Sequence, residues 1–161
     1  MAARFDFALL VPPEFAVDRV DEREDMLVVT ARGAAATASC PACGVTSSRV
    51  QSHYIRQPTD LPCAGHRVRL RLLVRRFRCG VEGCPCQVFA ERFGTMVLAE
   101  RARRTGRLEE LVHHLGLVMG GRPGAGFAKR LMLPVSNDTL LRVVSSTRLA
   151  ANRAADRDWH R

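Results

Sequence analysis

Lysine is almost missing from this sequence, and what replaces it narrows the choice of binding partner. Lys129 is the only lysine among 25 basic residues, so 24 of the cations are arginine, and the 161-residue chain carries a formal net charge of +9. Arginine presents a planar fork of N–H donors that matches phosphate groups and guanine edges. A G+C-rich genome would explain the choice of arginine over lysine, but it would not explain the net charge. We therefore expect a polyanion as the partner.

Long apolar runs are also lacking. No segment approaches the roughly 18 apolar residues that a membrane-spanning helix needs, and the apolar stretch near the N-terminus is interrupted by Asp6 and ended by Pro12 and Pro13. These features are not those of a signal peptide, which predicts a cytoplasmic protein with no membrane partner. In that compartment the six cysteines stay reduced, so metal binding explains them better than disulfides do.

A catalytic constellation is missing as well. His113 and His114 are adjacent on a helical pattern and cannot both point in one direction, and the acidic residues are densest in the solvated turn Asp21–Asp25. No nucleophile with a partner base can be recognised, and 161 residues cannot hold both a DNA-binding module and a large catalytic domain. We predict that the chain is not an enzyme.

What the sequence does contain is a basic region with strand periodicity. Residues 1–40 have a charge balance of −3 and residues 41–161 one of +12. Apolar residues on either side of the acidic turn predict a β-hairpin within residues 15–32. In Arg67–Arg78 apolar residues alternate with arginines, which predicts a strand with one buried and one exposed basic face. The arginines that we expect to contact DNA phosphates are Arg69, Arg71, Arg75 and Arg76.

Two cysteine pairs flank this strand. The first is Cys40-Pro-Ala-Cys43 followed by a glycine, and the second is Cys79 with Cys84. Four thiolates at such spacings form a tetrahedral structural zinc site that pins two turns of a small β-domain together. We therefore predict zinc as the cofactor and these four cysteines as its ligands.

Several alternatives remain at this point. Cys40 and Cys43 could form a redox pair, although the βαβ context of a thioredoxin-like motif is missing. Cys86 could replace Cys84, because Cys84-Pro-Cys86 offers both thiols. A histidine, His53 or His66, could substitute for one cysteine. Under the preferred prediction, the two spare thiols are Cys63 and Cys86.

The periodicity becomes helical after Phe93. Leu108, Leu111, Val112 and Leu115 fall on one helical face, with Gly116 as a plausible end. A second helix over Ala125–Leu131 follows Pro123, and Pro134 interrupts the pattern. Ser136 is suited to cap a third helix that runs to about Arg148. The fold class predicted is α+β, with a small zinc-ribbon-like β module followed by an α-helical helix-turn-helix module.

The last two helices form the helix-turn-helix candidate. Leu140, Leu141 and Val144 are predicted to face the core, and an ordinary helical hairpin is the alternative. Residues near the start of a recognition helix contact base edges. The candidates for DNA contact there are Asn137, Thr139 and Arg142.

An ordered series of short motifs spans most of the chain. The motifs are Cys40-Pro-Ala-Cys43-Gly, His53-Tyr-Ile-Arg56, Asp60-Leu-Pro, Gly65-His-Arg-Val-Arg-Leu, Arg75-Arg-Phe-Arg-Cys79, Cys84-Pro, Phe89-Ala-Glu-Arg92, Arg104-Thr105, Gly120-Gly121, Gly124-Ala125 and Val135-Ser136-Asn-Asp-Thr-Leu-Leu-Arg142. This series resembles the N-terminal region of the ISL-three family of bacterial insertion-sequence transposases. The resemblance implies that the four paired cysteines bind zinc and that the helix-turn-helix binds the terminal inverted repeats of the element. The departures from the family pattern are Cys63 and Cys86.

The same resemblance implies a catalytic domain that resembles RNase H and holds two metal ions with three carboxylates. The sequence ends before such a domain, and we expect a transposase fragment that cannot itself transpose and could associate with full-length transposase. The last residues, including Asp156 and Asp158, are compatible with a frameshifted tail. A zinc-ribbon protein-interaction or regulatory module is the alternative. The predicted segments are 1–36 (hairpin), 37–92 (zinc-binding), 93–148 (helix-turn-helix) and 149–161 (non-native tail).

Overall fold

The computed structural model describes residues 10–146 and divides the chain into two compact units, one up to Gly106 and one from Arg107 onward. The first unit is mainly β-sheet and the second is helical. The strands are β1 (Phe15–Arg23), β2 (Met26–Gly33), β3 (Ala38–Ser39), β4 (Thr46–Ser47), β5 (Val50–Arg56), β6 (Thr59–Cys63), β7 (His66–Arg78) and β8 (Val88–Ala90). The helices are α1 (Thr95–Leu98), α2 (Gly106–Met119), α3 (Gly121–Arg130) and α4, which covers residues 137–146. The predicted α+β fold class is confirmed.

Strand β7 is the centre of a six-stranded sheet. The order along the main path is β1-β2-β7-β5, and β6 and β8 also pair with β7. The first half of β7 lies between β2 and β6, and its second half pairs with β5 and β8. The β2–β7 pairing is parallel, whereas the other pairings of the sheet are antiparallel.

The alternating sequence of β7 explains its central position. Val68, Leu70, Leu72 and Val74 are buried on one face, and the intervening residues are exposed up to Leu73. The buried face packs against residues from β1, β2 and α1. This confirms the strand predicted over Arg67–Arg78.

Two polar side chains of the sheet form hydrogen bonds with residues 99–105, the segment after α1. Arg56 donates from Nη2 to the carbonyl oxygens of Ala99 and Ala102, at 3.0 and 2.9 Å. Asp60, which is buried, accepts a hydrogen bond of 2.6 Å from the hydroxyl of Thr105. Since a buried polar group without a partner is costly, these contacts fix the irregular segment against the sheet edge.

The N-terminal hairpin has longer strands than predicted, and it forms part of the main sheet. Strand β1 continues to Arg23, so the connection to β2 is shorter than the acidic turn expected over Asp21–Asp25. Because β2 pairs with β7, the hairpin is part of the main sheet and not a separate segment over residues 1–36. The boundary between the two compact units lies at Gly106, whereas the sequence placed it after residue 92. Residues 93–105 belong to the first unit because some of their apolar side chains pack against the core of the sheet.

The helical unit departs from its predicted packing at two residues. Gly116 does not end α2, which continues to Met119. The glycine instead leaves room for α4, because a Cβ there would lie 2.6 Å from Cγ2 of Val144. Leu141, predicted to face the core, is 50% exposed, and Val143 is buried in its place beside Leu140.

Other features of this unit agree with the sequence. Ser136 accepts a hydrogen bond of 3.3 Å from the backbone N–H of Thr139, as a residue that caps α4 should. No helix within residues 10–146 is both long and apolar enough to cross a membrane. The predicted end of α4 at Arg148 and the predicted tail 149–161, with Asp156 and Asp158, lie outside the described residues.

Candidate metal centre and basic surfaces

The first cysteine pair lies in the tight hairpin between β3 and β4. The backbone N–H of Cys40 donates to the carbonyl of Val45 at 2.9 Å, and the N–H of Gly44 donates back to the carbonyl of Cys40 at 2.8 Å. Gly44 has φ of +73°, a conformation that favours glycine. The Cys-Pro-Ala-Cys-Gly sequence therefore forms a closed loop with its two sulfurs on one side.

The second pair lies in the loop between β7 and β8. The N–H of Cys79 donates to Gln87 at 2.9 Å, and the N–H of Cys84 donates to Val81 at 3.3 Å. A left-handed glycine, Gly83 with φ of +75°, precedes Cys84. Both loops therefore contain a left-handed glycine next to a cysteine and are closed by backbone hydrogen bonds, although the second has a longer spacing between its cysteines.

The four sulfurs converge on one point. All four Sγ atoms lie within 4.8 Å of one another, with 3.9 Å between Cys40 and Cys84 and 3.6 Å between Cys43 and Cys79. A tetrahedral zinc ion with Zn–S bonds of about 2.3 Å requires sulfur–sulfur distances of about 3.8 Å. The cluster therefore fits zinc in donor type, number and spacing, and the prediction of zinc as the cofactor is confirmed.

Backbone N–H groups point at these sulfurs and affect their ionisation. The N–H groups of Cys43 and then Ala42 lower the pKa of Cys40 to about 6. For Cys43, the N–H of Val45 acts in the same direction, but burial and the neighbouring thiols of Cys79 and Cys40 raise its pKa overall. One thiolate is thus favoured while adjacent thiols resist ionisation, and a divalent cation would relieve this conflict because its positive charge favours the thiolate form of all four.

The thiols and histidines considered as substitutes lie outside the cluster. Cys86 donates to the carbonyl of Val88 at 3.6 Å, and burial raises its pKa, which keeps the thiol protonated. Among the described residues, the four-cysteine cluster includes neither His53 nor His66, and His66 lies 3.4 Å from Glu22. Cys63 pairs with His66 at the β6–β7 turn.

A small apolar core supports the cysteine loops. The rings of Phe77 and Phe89 stack with centroids 6.0 Å apart and pack with the buried Cys40. In addition, the hydroxyl of Ser47 donates to the carbonyl of Arg78 at 2.6 Å, which joins the first loop to the strand that carries the second.

The arginines of β7 do not form one surface. Arg69 and Arg71 are exposed on the open face of the sheet, and neither forms an ion pair with any residue in the described range 10–146. Three other arginines of the β-unit form ion pairs with acidic residues of the N-terminal hairpin: Arg19 with Asp21, Arg32 with Asp18, and Arg67 with Asp25. The His66 ring also lies beside Glu22 of this hairpin. The charge balance of −3 in the first 40 residues indicates that this segment can neutralise basic residues elsewhere. Which basic residues its carboxylates contact is known only from the pairing of the strands.

Arg75, which was predicted to contact phosphate, instead forms an ion pair and hydrogen bonds within the protein. Its side chain is 15% exposed and forms an ion pair of 2.5 Å with Glu91, whose side chain is 5% exposed. The same guanidinium donates to the carbonyl of Ala35 at 2.6 Å. Gly33 packs against this pair, since a Cβ there would lie 2.7 Å from Oε2 of Glu91. Arg75 therefore ties the linker after β2 to the strand and does not extend from the surface.

Arg76 is exposed but lies on the other side of the sheet from Arg69 and Arg71. It follows the buried Val74 by two residues, and its guanidinium carbon lies 4.9 Å from the centre of the Tyr54 ring. A planar guanidinium over an aromatic face is a favourable cation–π arrangement.

The predicted contact residues of α4 differ in their availability. Arg142 is exposed, whereas Asn137 and Thr139 are half-buried. The Asn137 side chain packs against the start of α3, since its Oδ1 lies 1.9 Å from where a Cβ of Gly121 would be. The hydroxyl of Thr139 lies 3.0 Å from that of Ser136.

Comparison with known proteins agrees with the metal centre. Residues 36–85 match the family model described as zinc-finger of transposase IS204/IS1001/IS1096/IS1165, and all four clustered cysteines lie in this segment. No curated protein and no solved structure gives a significant match. The match supports the resemblance to the N-terminal region of an ISL-three family transposase.

Proposed function

We propose that this protein, whose residues 36–85 are similar to the zinc-finger of the ISL-three transposases, binds double-stranded DNA at the terminal inverted repeats of a transposon. The observation that carries the proposal is the four-cysteine cluster within the matched segment. In this proposal Cys40, Cys43, Cys79 and Cys84 ligate one structural zinc ion. The described residues have a DNA-binding role and no catalytic one.

The open face of the β-sheet supplies the phosphate contacts in this proposal. Arg69 and Arg71 extend from adjacent outward positions of β7, and their charges are not offset by a neighbouring carboxylate within residues 10–146. Phosphate contacts of this kind give affinity and register but carry no sequence information. Arg76 would contribute from the opposite side of the sheet.

The helical unit supplies sequence recognition. Helices α3 and α4 are joined by a short connection and would act as a helix-turn-helix, with Arg142 as the exposed side chain available to base edges. Asn137 and Thr139 would contact phosphate or base near the start of α4. Binding at transposon ends also predicts a cytoplasmic protein that associates with the nucleoid, and full-length transposase as a further partner.

One observation favours a second candidate, a protein-interaction or regulatory module. Ile55 and Leu73 are paired across β5 and β7, and they are 45% and 37% exposed. Exposed apolar pairs of this kind are found where proteins contact one another. Under this alternative the sheet would bind protein and not DNA.

Fluorescence anisotropy with labelled duplexes tests the two functions. Zinc-loaded protein is titrated against inverted-repeat DNA and a scrambled duplex at several salt concentrations, with and without a chelator. We expect tighter binding to the repeat, weakening as salt rises, and loss of binding when zinc is removed. Absence of DNA binding at low salt would overturn the proposal in favour of the protein-interaction module.

A pair of exposed arginines provides a matched control. Arg71→Gln should reduce the slope of log affinity against log salt by about 0.9, the value for one phosphate contact on duplex DNA. Arg32→Gln removes a charge from a neighbouring strand, but Arg32 already forms an ion pair of 3.1 Å with Asp18. Its salt slope should therefore change less, and equal slopes for both variants would contradict the role given to Arg71.

A further inference from the structure

A groove of about 630 Å³ opens on the side of the sheet away from Arg69 and Arg71. It lies between the second half of the sheet and the segment from β8 to α1, entirely within the first unit. Its volume is within the range of pockets that hold small ligands. Neither the metal centre nor the open basic face of the sheet accounts for it.

The lining of the groove is basic. Its charged residues are Arg56, Arg76, Arg92, Arg101, Glu91 and Glu100. Both acids are already engaged, Glu91 by the buried guanidinium of Arg75 and Glu100 by Arg92 at 3.7 Å. The groove is therefore complementary to an anion.

Arg56 is held in position for such an anion. Its Nη2 is fixed by the carbonyls of Ala99 and Ala102, and its remaining N–H groups have no hydrogen-bond partner among residues 10–146. Arg101 approaches the same groove from an exposed position with φ of +59°. An arginine that is already ordered loses less entropy on binding than a free one.

The other part of the groove offers a flat surface. The guanidinium carbon of Arg76 lies over the Tyr54 ring, 4.9 Å from its centre, and both side chains line the groove. Bases that are not stacked in a duplex stack on aromatic rings and on guanidinium planes. A flat stacking surface beside ordered arginines matches the two halves of a nucleotide, a base and a phosphate.

From this geometry we infer that the groove binds one unpaired nucleotide of a DNA strand, with its base against Arg76 and Tyr54 and its phosphate against Arg56 and Arg101. This inference rests on the proposed DNA-binding function and adds a second contact surface to it. Arg69, Arg71 and Arg142 would then contact only the duplex, whereas Tyr54, Arg56 and Arg101 would contact only the unpaired nucleotide.

The experiment compares single-stranded and duplex DNA with zinc-loaded full-length protein. The probes are a labelled deoxythymidylate dodecamer, the same strand with abasic sugars, and the inverted-repeat duplex. Arg76→Lys keeps the charge but removes the guanidinium plane, and we expect it to weaken dodecamer binding about tenfold, in the range found for loss of one stacked base. The abasic strand and the duplex should bind this variant within about twofold of the wild type.

The single tyrosine of the chain gives a direct readout. Tyr54 is the only tyrosine, so protein labelled with ¹³C in its tyrosine rings reports the groove alone. Addition of the dodecamer should shift these ring signals by stacking, and addition of the abasic strand should not. Because the Tyr54 ring lies against Arg76, retention of the fold in Arg76→Lys is checked separately, by its zinc content and its circular dichroism spectrum.

Arg71→Gln on the opposite face is the matched control for charge. Because Arg71 does not line the groove, this variant should bind the dodecamer and the abasic strand within about twofold of the wild type and leave the Tyr54 shift on dodecamer binding unchanged. If Arg76→Lys lowers affinity for both strands equally, or if the Tyr54 ring does not respond to the dodecamer, the groove inference is wrong even when the duplex binds normally. If the wild type binds no DNA of any form, the proposed function fails as well.

Discussion

Exchange of single cysteines in the second loop tests the metal centre most directly. Cys84 and Cys86 are separated by one proline, yet only Cys84 belongs to the four-sulfur cluster. We predict that Cys84→Ser loses tight zinc binding and that Cys86→Ser retains it. The two variants carry the same chemical change two residues apart, so each is the control for the other.

The expected magnitudes follow from the contacts. Loss of one of four thiolates should weaken zinc binding by more than the 10–100-fold that loss of a supporting partner costs. A 100-fold loss of zinc affinity corresponds to about 2.7 kcal/mol. For comparison, the total free energy of zinc binding in zinc-finger peptides is about 10–16 kcal/mol. In contrast, serine can replace Cys86 as donor to the Val88 carbonyl, so Cys86→Ser should change stability by less than about 1 kcal/mol.

Zinc content and competition with a chromophoric chelator provide the measurement. Wild type and Cys86→Ser should each hold one zinc per chain with similar affinity, whereas Cys84→Ser should release zinc at a much lower chelator concentration. Zinc loss by Cys86→Ser with retention by Cys84→Ser would show that the ligand assignment is wrong. Equal retention by both variants would show that the ion is bound elsewhere.

Three further predictions concern stability and are measured by equilibrium denaturation. Gly33→Ala should destabilise by about 1–3 kcal/mol, the usual cost of overpacking, because its Cβ would lie 2.7 Å from Glu91; an unchanged midpoint would contradict this. Glu91→Gln should cost about 3–5 kcal/mol by leaving the Arg75 charge buried without compensation. Leu140→Ala should cost about 2–5 kcal/mol, but Leu141→Ala, at a 50% exposed site, should cost less than about 0.5 kcal/mol.

The sequence was most informative where one local pattern determined the structure. The alternation in β7 identified its buried face, and the spacing of four cysteines identified the zinc-binding cluster. Both signals are local because side-chain direction in a strand and reach to a metal depend on nearby residues. These features could be predicted without knowledge of the tertiary structure.

The errors and omissions depended on partners that are distant in the chain. Arg75 has the same sequence pattern as Arg71, and only the ion pair with Glu91, the residue after β8, distinguishes them. Gly116 resembles a helix end, but its missing side chain makes room for Val144. The residue pattern within one strand or helix cannot show whether an arginine is paired or why a glycine is needed. Both depend on which other element packs against that residue.

The parallel pairing of β2 with β7 has a consequence for how the chain folds. Met26 pairs with Arg67 and Arg32 pairs with Leu73. The two strands can therefore pair only when a loop of about 40 residues closes between them. Such non-local contacts slow folding because the loop must close before they form. Cys43 and Cys79 lie 36 residues apart, and a bridge between them restricts this connection. By the chain-entropy relation for cross-links, such a restriction of the unfolded chain is worth about 4 kcal/mol of stability. If zinc joins Cys43 and Cys79 before β2 and β7 pair, the same restriction would also shorten the loop that has to close.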